Sequence, residues 1–291
     1  MSSAIDQLIE AGFPDEAEEL KKYEFNCIPL VDAKNKGLTK TGGIPDLPPD
    51  ISYPTLTGYT MKWKQGGMSG NTEQYARSAM QLVLQLDLDA LSESGCDTDK
   101  ILPESGMLWI FWSGEIMDLK SGEWYDVLAE QPSETATHRV IYWNGDKSSL
   151  RPTPPPCPYY SKYFTEALEE IFYDFSSQPD FPGTLFNDYS GEVDEALEKV
   201  FGGSVDFQAD NCYSGSKLLG HPSGSNGSPL REDEVMLFQF DYGEGCLWNL
   251  FFKMSKSDLI DRDFSSVELD FDMDCFIRRH TYRKIMKMNR M

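Results

Sequence analysis

The feature that most constrains the fold is a short pattern that occurs twice. The stretch VLQLD at 83–87 has a close counterpart in LFQFD at 237–241. Each lies between a Gly-x-Pro motif and a Gly-x-Leu-Trp motif, in the same order along the chain. Three short patterns that recur in one order favour an internal duplication. We therefore expect two β-rich halves that resemble each other.

Apolar patterning predicts strands at both repeats. Leu82, Leu84 and Leu86 alternate with other residues, which is typical of a strand with one apolar face. The stretch GMLWIFW at 106–112 is apolar on both faces and predicts an interior strand. Two strands alone bury little apolar surface. The two halves are therefore expected to share one core, and neither is expected to fold without the other.

Helices are predicted at the N-terminus and in the middle of the chain. Apolar residues at helical spacing predict helix within residues 3–22, and again at TEALEEIFYDF (165–175) and EVDEALEKVF (192–201). Residues 57–73 are rich in glycine, and we expect an exposed, irregular segment there. The fold class that follows is α+β and β-rich, with mixed or antiparallel sheets in one compact unit.

The domain organisation follows from one proline-rich stretch. RPTPPPCP at 151–158 predicts a polyproline-type connector. It separates halves at about 1–150 and 159–276, which together form a single predicted domain, 1–276. A basic tail, 277–291, follows it.

The charge balance restricts the partners. The chain has 26 basic and 48 acidic residues and a net charge of −22. A surface this acidic repels nucleic-acid backbones and anionic membranes, and it suits a basic protein. The tail holds six basic residues and no acid. We favour a tail that folds back on the acidic body or is frayed, with a basic arm for an outside anion as the alternative.

The six cysteines and the N-terminus favour a cytoplasmic protein. No two cysteines have the C-x-x-C spacing, so reduced, packed thiols are expected. The first residues lack the apolar run of a signal peptide, and no segment approaches the ~18 apolar residues of a membrane span. Oligomeric state is not predicted.

Several motifs of this sequence resemble the YwqG-like family, a bacterial family of unknown function. The matching stretches are GGIPDLPPDISYP (42–54), QLDL (85–88), LPESGMLWIFW (102–112), KLLGHPSG (217–224), VMLFQFD (235–241) and DLIDRDFSSVELDFD (258–272). The resemblance covers about 1–276 and implies an α+β fold with internal pseudo-symmetry. It implies no known substrate or catalytic residue. Some relatives resemble components of bacterial toxin–immunity neighbourhoods, which implies a binding role.

Two pairs of polar residues are the candidate ligand site. Gln85 and Asp87 lie two apart on one strand, and Gln239 and Asp241 do so on the other, so each pair shares a face. If the halves are related by a pseudo-twofold axis, both pairs could converge on one cleft for a cation, an amine or a basic peptide. The alternative is structural, because such side chains also hold nearby turns through backbone N–H groups.

Other chemistry is not indicated. The three histidines, His138, His221 and His280, have no metal-site spacing, and no cofactor is predicted. The stretch GGMSGN at 66–71 lacks the Lys-Ser/Thr of a phosphate loop. No nucleophile elbow occurs.

The function expected from these features is a non-enzymatic module that binds a basic protein, and its sharpest form is an immunity-like role against a basic toxin. Tyr59 and Trp63, in the glycine-rich segment, are the candidate partner surface. The alternative is an enzyme or small-ligand sensor that uses the cleft between the halves.

Overall fold

The fold is known from a computed structural model. The structure describes residues 4–65, 68–113, 138–159, 167–181, 191–192, 195–196, 215–223, 230–241 and 249–272. It is β-rich, with a large, antiparallel, nearly barrel-shaped sheet and a few helices, as the sequence predicts.

The helices and strands are numbered here in chain order. Helices are α1 (Ala4–Glu10), α2 (Pro14–Lys21), α3 (Leu88–Ser94) and α4 (Lys256–Asp261), with 3-10 turns at Lys147–Ser149 and Phe264–Ser266. Strands are β1 (Phe25–Asp32), β2 (Lys40–Thr41), β3 (Asp46–Leu47), β4 (Thr55–Gln65), β5 (Met68–Ala79), β6 (Gln81–Asp87), β7 (Met107–Trp112), β8 (His138–Trp143), β9 (Arg151–Pro152), β10 (Ile171–Phe175), β11 (Gln178–Asp180), β12 (Lys217–Leu219), β13 (Glu234–Asp241), β14 (Asn249–Ser255) and β15 (Glu268–Asp272).

The large sheet contains the same strand arrangement twice. Its order is β15-β14-β13-β12-β1-β10-β2-β6-β7-β8, and β11 also pairs with β1. Strands β2, β6, β7 and β8 run outward from the centre in chain order, as do β12, β13, β14 and β15 on the other side. The second member of each set carries the repeated sequence, Leu-Gln-Leu-Asp in β6 and Phe-Gln-Phe-Asp in β13, so the repeat occupies matching positions in the sheet.

The two sets are interlocked at the centre of the sheet. Strand β1 precedes β2 in the chain, yet it pairs with β12 of the other set, while β10 precedes β12 and pairs with β2. Strands β1 and β10 then pair with each other, Leu30 opposite Phe175 and Asp32 opposite Tyr173. The central pair is Val31 and Asp174. The innermost strand of each set therefore pairs with the strand that precedes the other set in the sequence.

One core joins the two sets. Leu84 and Leu86 of β6 lie in the same buried cluster as Phe238 and Phe240 of β13 and Phe252 of β14. This shared core is what the short strands of either set need in order to bury their apolar faces.

A second buried cluster lies on the first set alone. It contains Leu82, Trp109 and Phe111, and it is covered by Leu47 and Tyr53. Leu82 and its neighbours Leu84 and Leu86 therefore divide between two clusters, because the pairing of β6 with β7 shifts register between Leu82 and Leu84.

Two predictions about local structure are wrong. Residues 171–175 are strand β10 and not the end of a helix, because a place between β1 and β2 in the sheet outweighs the helical spacing of the segment. Residues 55–65 and 68–79 are not irregular: they form β4 and β5, which pair as a two-stranded ribbon with one register shift. The second predicted helix, 192–201, lies mostly outside the described residues, as does the basic tail.

The sheet curls so that β8 at one end approaches the chain just before β15 at the other. His138 Nε2 lies 2.6 Å from the carbonyl oxygen of Val267, and its ring meets Phe252 edge-on. The ring of Tyr142 packs on Phe264, 5.4 Å between centroids. These contacts form a seam between the two sets, and His138 is only 9% exposed within it.

The seam makes stability depend on pH. Burial lowers the pKa of His138, and the contact with the Val267 carbonyl offsets this only in part. An unfolded histidine titrates near pH ~6.5, so the unfolded chain gains a proton below that pH before the folded chain does. The free energy of unfolding should therefore be highest above pH ~6.5 and fall as the pH falls towards the lowered value, in denaturant titrations at several pH values.

The variant His138→Gln is the matched control, because its amide can still donate to Val267 but carries no proton equilibrium. It should show a shallower pH dependence. His221, whose pKa burial also lowers, contributes to the dependence that remains. An unchanged slope in the variant would contradict this role of His138.

Candidate functional site

Gln85 anchors the turn formed by residues 38–46, called here the first turn. The side chain is fully buried on β6. Its Oε1 accepts from the backbone N of Asp46 (2.7 Å) and from Nε1 of Trp109 (3.1 Å). Its Nε2 donates to the carbonyl of Leu38 (2.8 Å) and to Asp46 Oδ2 (3.1 Å). Both N–H groups are thus engaged in holding the turn.

Gln239 anchors the second turn, residues 215–223, in the same way. It is also fully buried, on β13. Its Oε1 accepts from the backbone N of Ser223 (2.9 Å), and its Nε2 donates to the Gly215 carbonyl (3.1 Å) and to Ser223 Oγ (2.5 Å). The residue after Gly-Ile-Pro and the residue after Gly-His-Pro are therefore bound by equivalent glutamines.

Each turn also carries a buried lysine opposite its glutamine. Lys40 pairs in register with Gln85, and Lys217 with Gln239. Lys217 Nζ donates to Asp180 Oδ2 at 2.9 Å, and both side chains are almost fully buried. Asp180 Oδ2 also accepts from the backbone N of His221 at 2.7 Å. This ion pair lies inside the protein with no water-facing side.

The ion pair of the first turn is more open. Lys40 Nζ lies 3.1 Å from Asp46 Oδ2 and 2.9 Å from Glu170 Oε1, and those two acids are 21% and 33% exposed. The same nitrogen donates to the Ile44 carbonyl at 2.6 Å. Both turns therefore combine a buried glutamine with a buried lysine that is paired with an acid. They differ in the solvent exposure of the acids.

The two aspartates of the repeat have local roles. Asp87 lies just before α3 and its Oδ1 accepts from the backbone N of Asp89 and Ala90, at 3.1 and 3.2 Å. It thereby caps the helix. The backbone N of Asp87 donates to Thr39 Oγ1 (3.1 Å), and that of Asp241 donates to Ser216 Oγ (3.1 Å).

Lys147, in the 3-10 turn after β8, ties that turn to the end of β6 and the start of α3. Its ammonium forms ion pairs with Asp87 and Asp89. Burial works against the charge on Lys147, but its bonds to the two acids outweigh burial and raise its pKa. The bond from Lys147, with one from the backbone N of Gly106, lowers the pKa of Asp89. These bonds connect neighbouring segments of the chain, and the three charged groups of the cluster neutralise or hydrogen-bond one another.

The structure does not bring the two Gln–Asp pairs together. Gln85 and Asp87 lie on β6, and Gln239 and Asp241 lie on β13. Strands β12, β1, β10 and β2 separate them in the sheet. Each glutamine side chain holds its own turn, as in the structural alternative considered above, and the backbone N of each aspartate donates to the same turn. Binding of a ligand at either pair stays a prediction.

The buried ion pairs were not predicted from the sequence. The lysines could have been found, however, because a hydroxyl residue followed by lysine precedes both Gly-x-Pro motifs. Thr39-Lys40 precedes the first, and Ser216-Lys217 precedes the second. The acids that neutralise the lysines share no such pattern. Glu170 and Asp180 lie in different surroundings in the sequence, so only the fold reveals them.

The remaining candidates occupy separate places. Tyr59 and Trp63 lie on β4 of the ribbon, opposite Tyr75 and Gly70 of β5. His138 lies in the seam, His221 lies in the second turn, and His280 is outside the described residues. In the described part of the chain, no three His, Cys, Asp or Glu side chains gather as a metal site would require. None of the helices in those ranges has the length and apolar character to cross a membrane.

Comparison with family models identifies the family of this chain. Residues 39–275 match the family model described as a domain of unknown function, DUF1963. The match covers most of the chain, from the first turn to the end of β15, and the chain therefore belongs to that family. No curated protein matches it.

Proposed function

We propose that this member of the DUF1963 family is a non-enzymatic binding module whose acidic surface holds a basic protein. Its net charge of −22 supports this proposal. The roles of Gln85 and Gln239, whose side chains bond to the two turns, and of Asp87, which caps α3, also support it.

The observation that carries the proposal is the surface of the N-terminal hairpin, residues 4–24, formed by α1 and α2. The hairpin has seven acids and two lysines. It also exposes two large apolar side chains, Ile9 (50%) and Tyr23 (43%). Apolar anchors surrounded by charged residues are the usual composition of a protein interface. The acids would attract a basic partner, and the apolar residues would add affinity on contact.

Strand β4 of the ribbon offers a second contact surface. Tyr59 and Trp63 lie four positions apart on this strand, with Met61 between them. Aromatic and methionine residues are enriched in interfaces. An immunity-like role against a basic toxin is the most specific form of this function, and the resemblance to the YwqG-like family supports it.

Neutralising the hairpin should weaken binding to a basic polymer. The triple variant Glu10→Gln/Glu18→Gln/Glu24→Gln changes three exposed acids. With poly-L-lysine as the probe, we expect the affinity measured by titration calorimetry to fall about tenfold, or 1.4 kcal/mol. Salt screens exposed charges, so wild-type binding should weaken as salt is raised from 20 to 200 mM.

A matched variant removes the same charge elsewhere. Glu93, Asp99 and Glu232 are also exposed, and their neutralisation should leave the affinity within about twofold of wild type, because the contact surface stays intact. Equal loss in both triple variants would show that net charge alone governs binding, and the hairpin would be excluded as the contact surface.

A further inference from the structure

Glu170 has the place in the first turn that Asp180 has in the second. A Cβ added to Gly43, in the Gly-Ile-Pro motif, would lie 2.8 Å from Glu170 Oε1. A Cβ added to Gly220, in the Gly-His-Pro motif, would meet Asp180 Oδ2 in the same way. Each acid also binds the buried lysine of its turn at 2.9 Å. The two carboxylates therefore fill equivalent places.

The two acids differ in what they can bind besides that lysine. Asp180 is almost fully buried, and its Oδ2 already serves two donors inside the protein. Glu170 is partly exposed, and only its Oε1 accepts from the buried Lys40. Its Oε2 lies 3.9 Å from Nζ of Lys36, whose side chain is 80% exposed. A buried ammonium thus holds one oxygen of Glu170 in place, while the other oxygen binds an ammonium at the surface.

An aromatic ring lies beside this carboxylate. Phe172 is half-buried on β10, and Nζ of Lys36 lies over its ring, 5.0 Å from the centroid. The loop that carries Lys36 is fastened to β10 on both sides. The backbone N of Ala33 donates to the Phe172 carbonyl at 2.9 Å, and that of Tyr173 donates to the Thr39 carbonyl at 3.1 Å. A ring face and a carboxylate both attract an alkylammonium group.

Ile44 adds exposed apolar surface at the same place. Its side chain belongs to a residue that is 42% exposed. Its carbonyl accepts from Lys40 Nζ at 2.6 Å, and the same nitrogen binds Glu170 Oε1. The methylene stem of a lysine packs on apolar surface while its charged end binds elsewhere. The first turn therefore offers contacts to both parts of a lysine side chain.

We propose that Glu170, Phe172 and Ile44 form a site for a lysine side chain of the basic partner, and that Lys36 of this chain occupies the site until the partner displaces it. This inference rests on the proposed function for the kind of partner. An exposed ion pair and an exposed cation–π contact are both weak, so an incoming lysine can replace Lys36 readily.

The first test removes the carboxylate. With poly-L-lysine as the probe at 20 mM salt, Glu170→Gln should weaken binding about threefold more than Glu169→Gln does. Both variants remove one exposed acid. The amide of Glu170→Gln can still accept from Lys40, but it no longer attracts an ammonium at the surface. Equal losses in the two variants would overturn the site.

The second test removes the competing lysine and has the opposite sign. Lys36→Gln should strengthen binding to poly-L-lysine about threefold more than Lys34→Gln does. Both lysines are exposed, so both variants remove the same charge, but only the first vacates the site. In a Glu170→Gln background, the difference between the two lysine variants should largely disappear. Equal effects of Lys36→Gln and Lys34→Gln in the wild-type background would overturn the displacement.

A capped amino acid tests the site without a basic protein. N-acetyl-lysine methylamide should shift the backbone amide NMR signals of Glu170 and Phe172 in a saturable way, and Glu170→Gln should abolish this response. N-acetyl-norleucine methylamide, which lacks the ammonium, is the control and should leave both signals in place. Unchanged signals with the lysine compound would overturn the site.

The two probes separate the site from the proposed function. If poly-L-lysine binds the protein while the capped lysine leaves Glu170 and Phe172 unchanged, the site is wrong and the proposed function stands. If the capped lysine binds at these residues while poly-L-lysine does not bind the protein, the site stands and the proposed function is wrong.

Discussion

Replacing Lys217 with Met should destabilise the protein by about 3–5 kcal/mol. Met matches the length of the lysine stem but leaves the Asp180 carboxylate without its ammonium, in a place where both side chains are almost fully buried. A buried charge that loses its counter-ion keeps its cost of desolvation, and this cost dominates the effect. Denaturant titration at pH 7 measures the change in the free energy of unfolding.

The equivalent lysine of the first turn is the matched control. Lys40→Met removes an ammonium from Asp46 and Glu170, which are partly exposed. Water can solvate those carboxylates, so we expect a smaller loss, at most about 2 kcal/mol. The double variant Lys217→Met/Asp180→Asn removes both charges and keeps an acceptor for the backbone N of His221. It should recover most of the stability, and a double variant as unstable as Lys217→Met would contradict this account.

The second large effect is expected for Gly220→Ala. Gly220 has φ of +79°, and a Cβ there would lie 2.4 Å from Asp180 Oδ2 and 2.6 Å from Cys27 Cβ. The left-handed conformation costs a non-glycine residue roughly 1–2 kcal/mol, and crowding of a packed interior adds about 1–3 kcal/mol. We therefore expect a loss of roughly 2–5 kcal/mol in the free energy of unfolding, because the carboxylate is held by Lys217 and cannot move aside cheaply.

Gly95→Ala separates these two contributions. Gly95 ends α3 with φ of +68°, and a Cβ there would have nothing within 4 Å. This variant should lose only the roughly 1–2 kcal/mol of the backbone conformation. Comparable losses in the Gly95 and Gly220 variants would mean that the contact with Asp180 is unimportant, and the second turn would then be held by other bonds.

Much of the sheet could be predicted from the sequence. Strands β6, β7, β13 and β14 are rich in apolar residues, and β15 alternates apolar and acidic residues. Both patterns predict a strand from a few residues alone. The shared core could be predicted for the same reason, since each short set of strands has an apolar face that it cannot bury alone. The anchoring role of Gln85 and Gln239 was one of two interpretations that the sequence allowed.

Other parts of the fold depend on contacts between distant residues. Strand β10 lies in a segment, 165–175, whose glutamates, Ala167 and Leu168 favour a helix, and it is a strand because β1 and β2 flank it. The Lys40–Glu170 pair joins residues 130 positions apart. Local patterning carries no information about such pairs, and it also cannot show that β12, β1, β10 and β2 lie between the two Gln–Asp pairs in the sheet.

The interlocked centre of the sheet also governs how the chain reaches its native state. Strand β1 is made early, yet its neighbours β10 and β12 lie some 140 to 190 residues later in the sequence. Contacts between residues so far apart in the sequence slow folding, because the chain loses the entropy of closing large loops before strand pairing stabilises it. During synthesis, the edges of β1 therefore stay unpaired until β10 and β12 have been made. A nascent chain of this topology would depend on chaperones to keep that strand from aggregating.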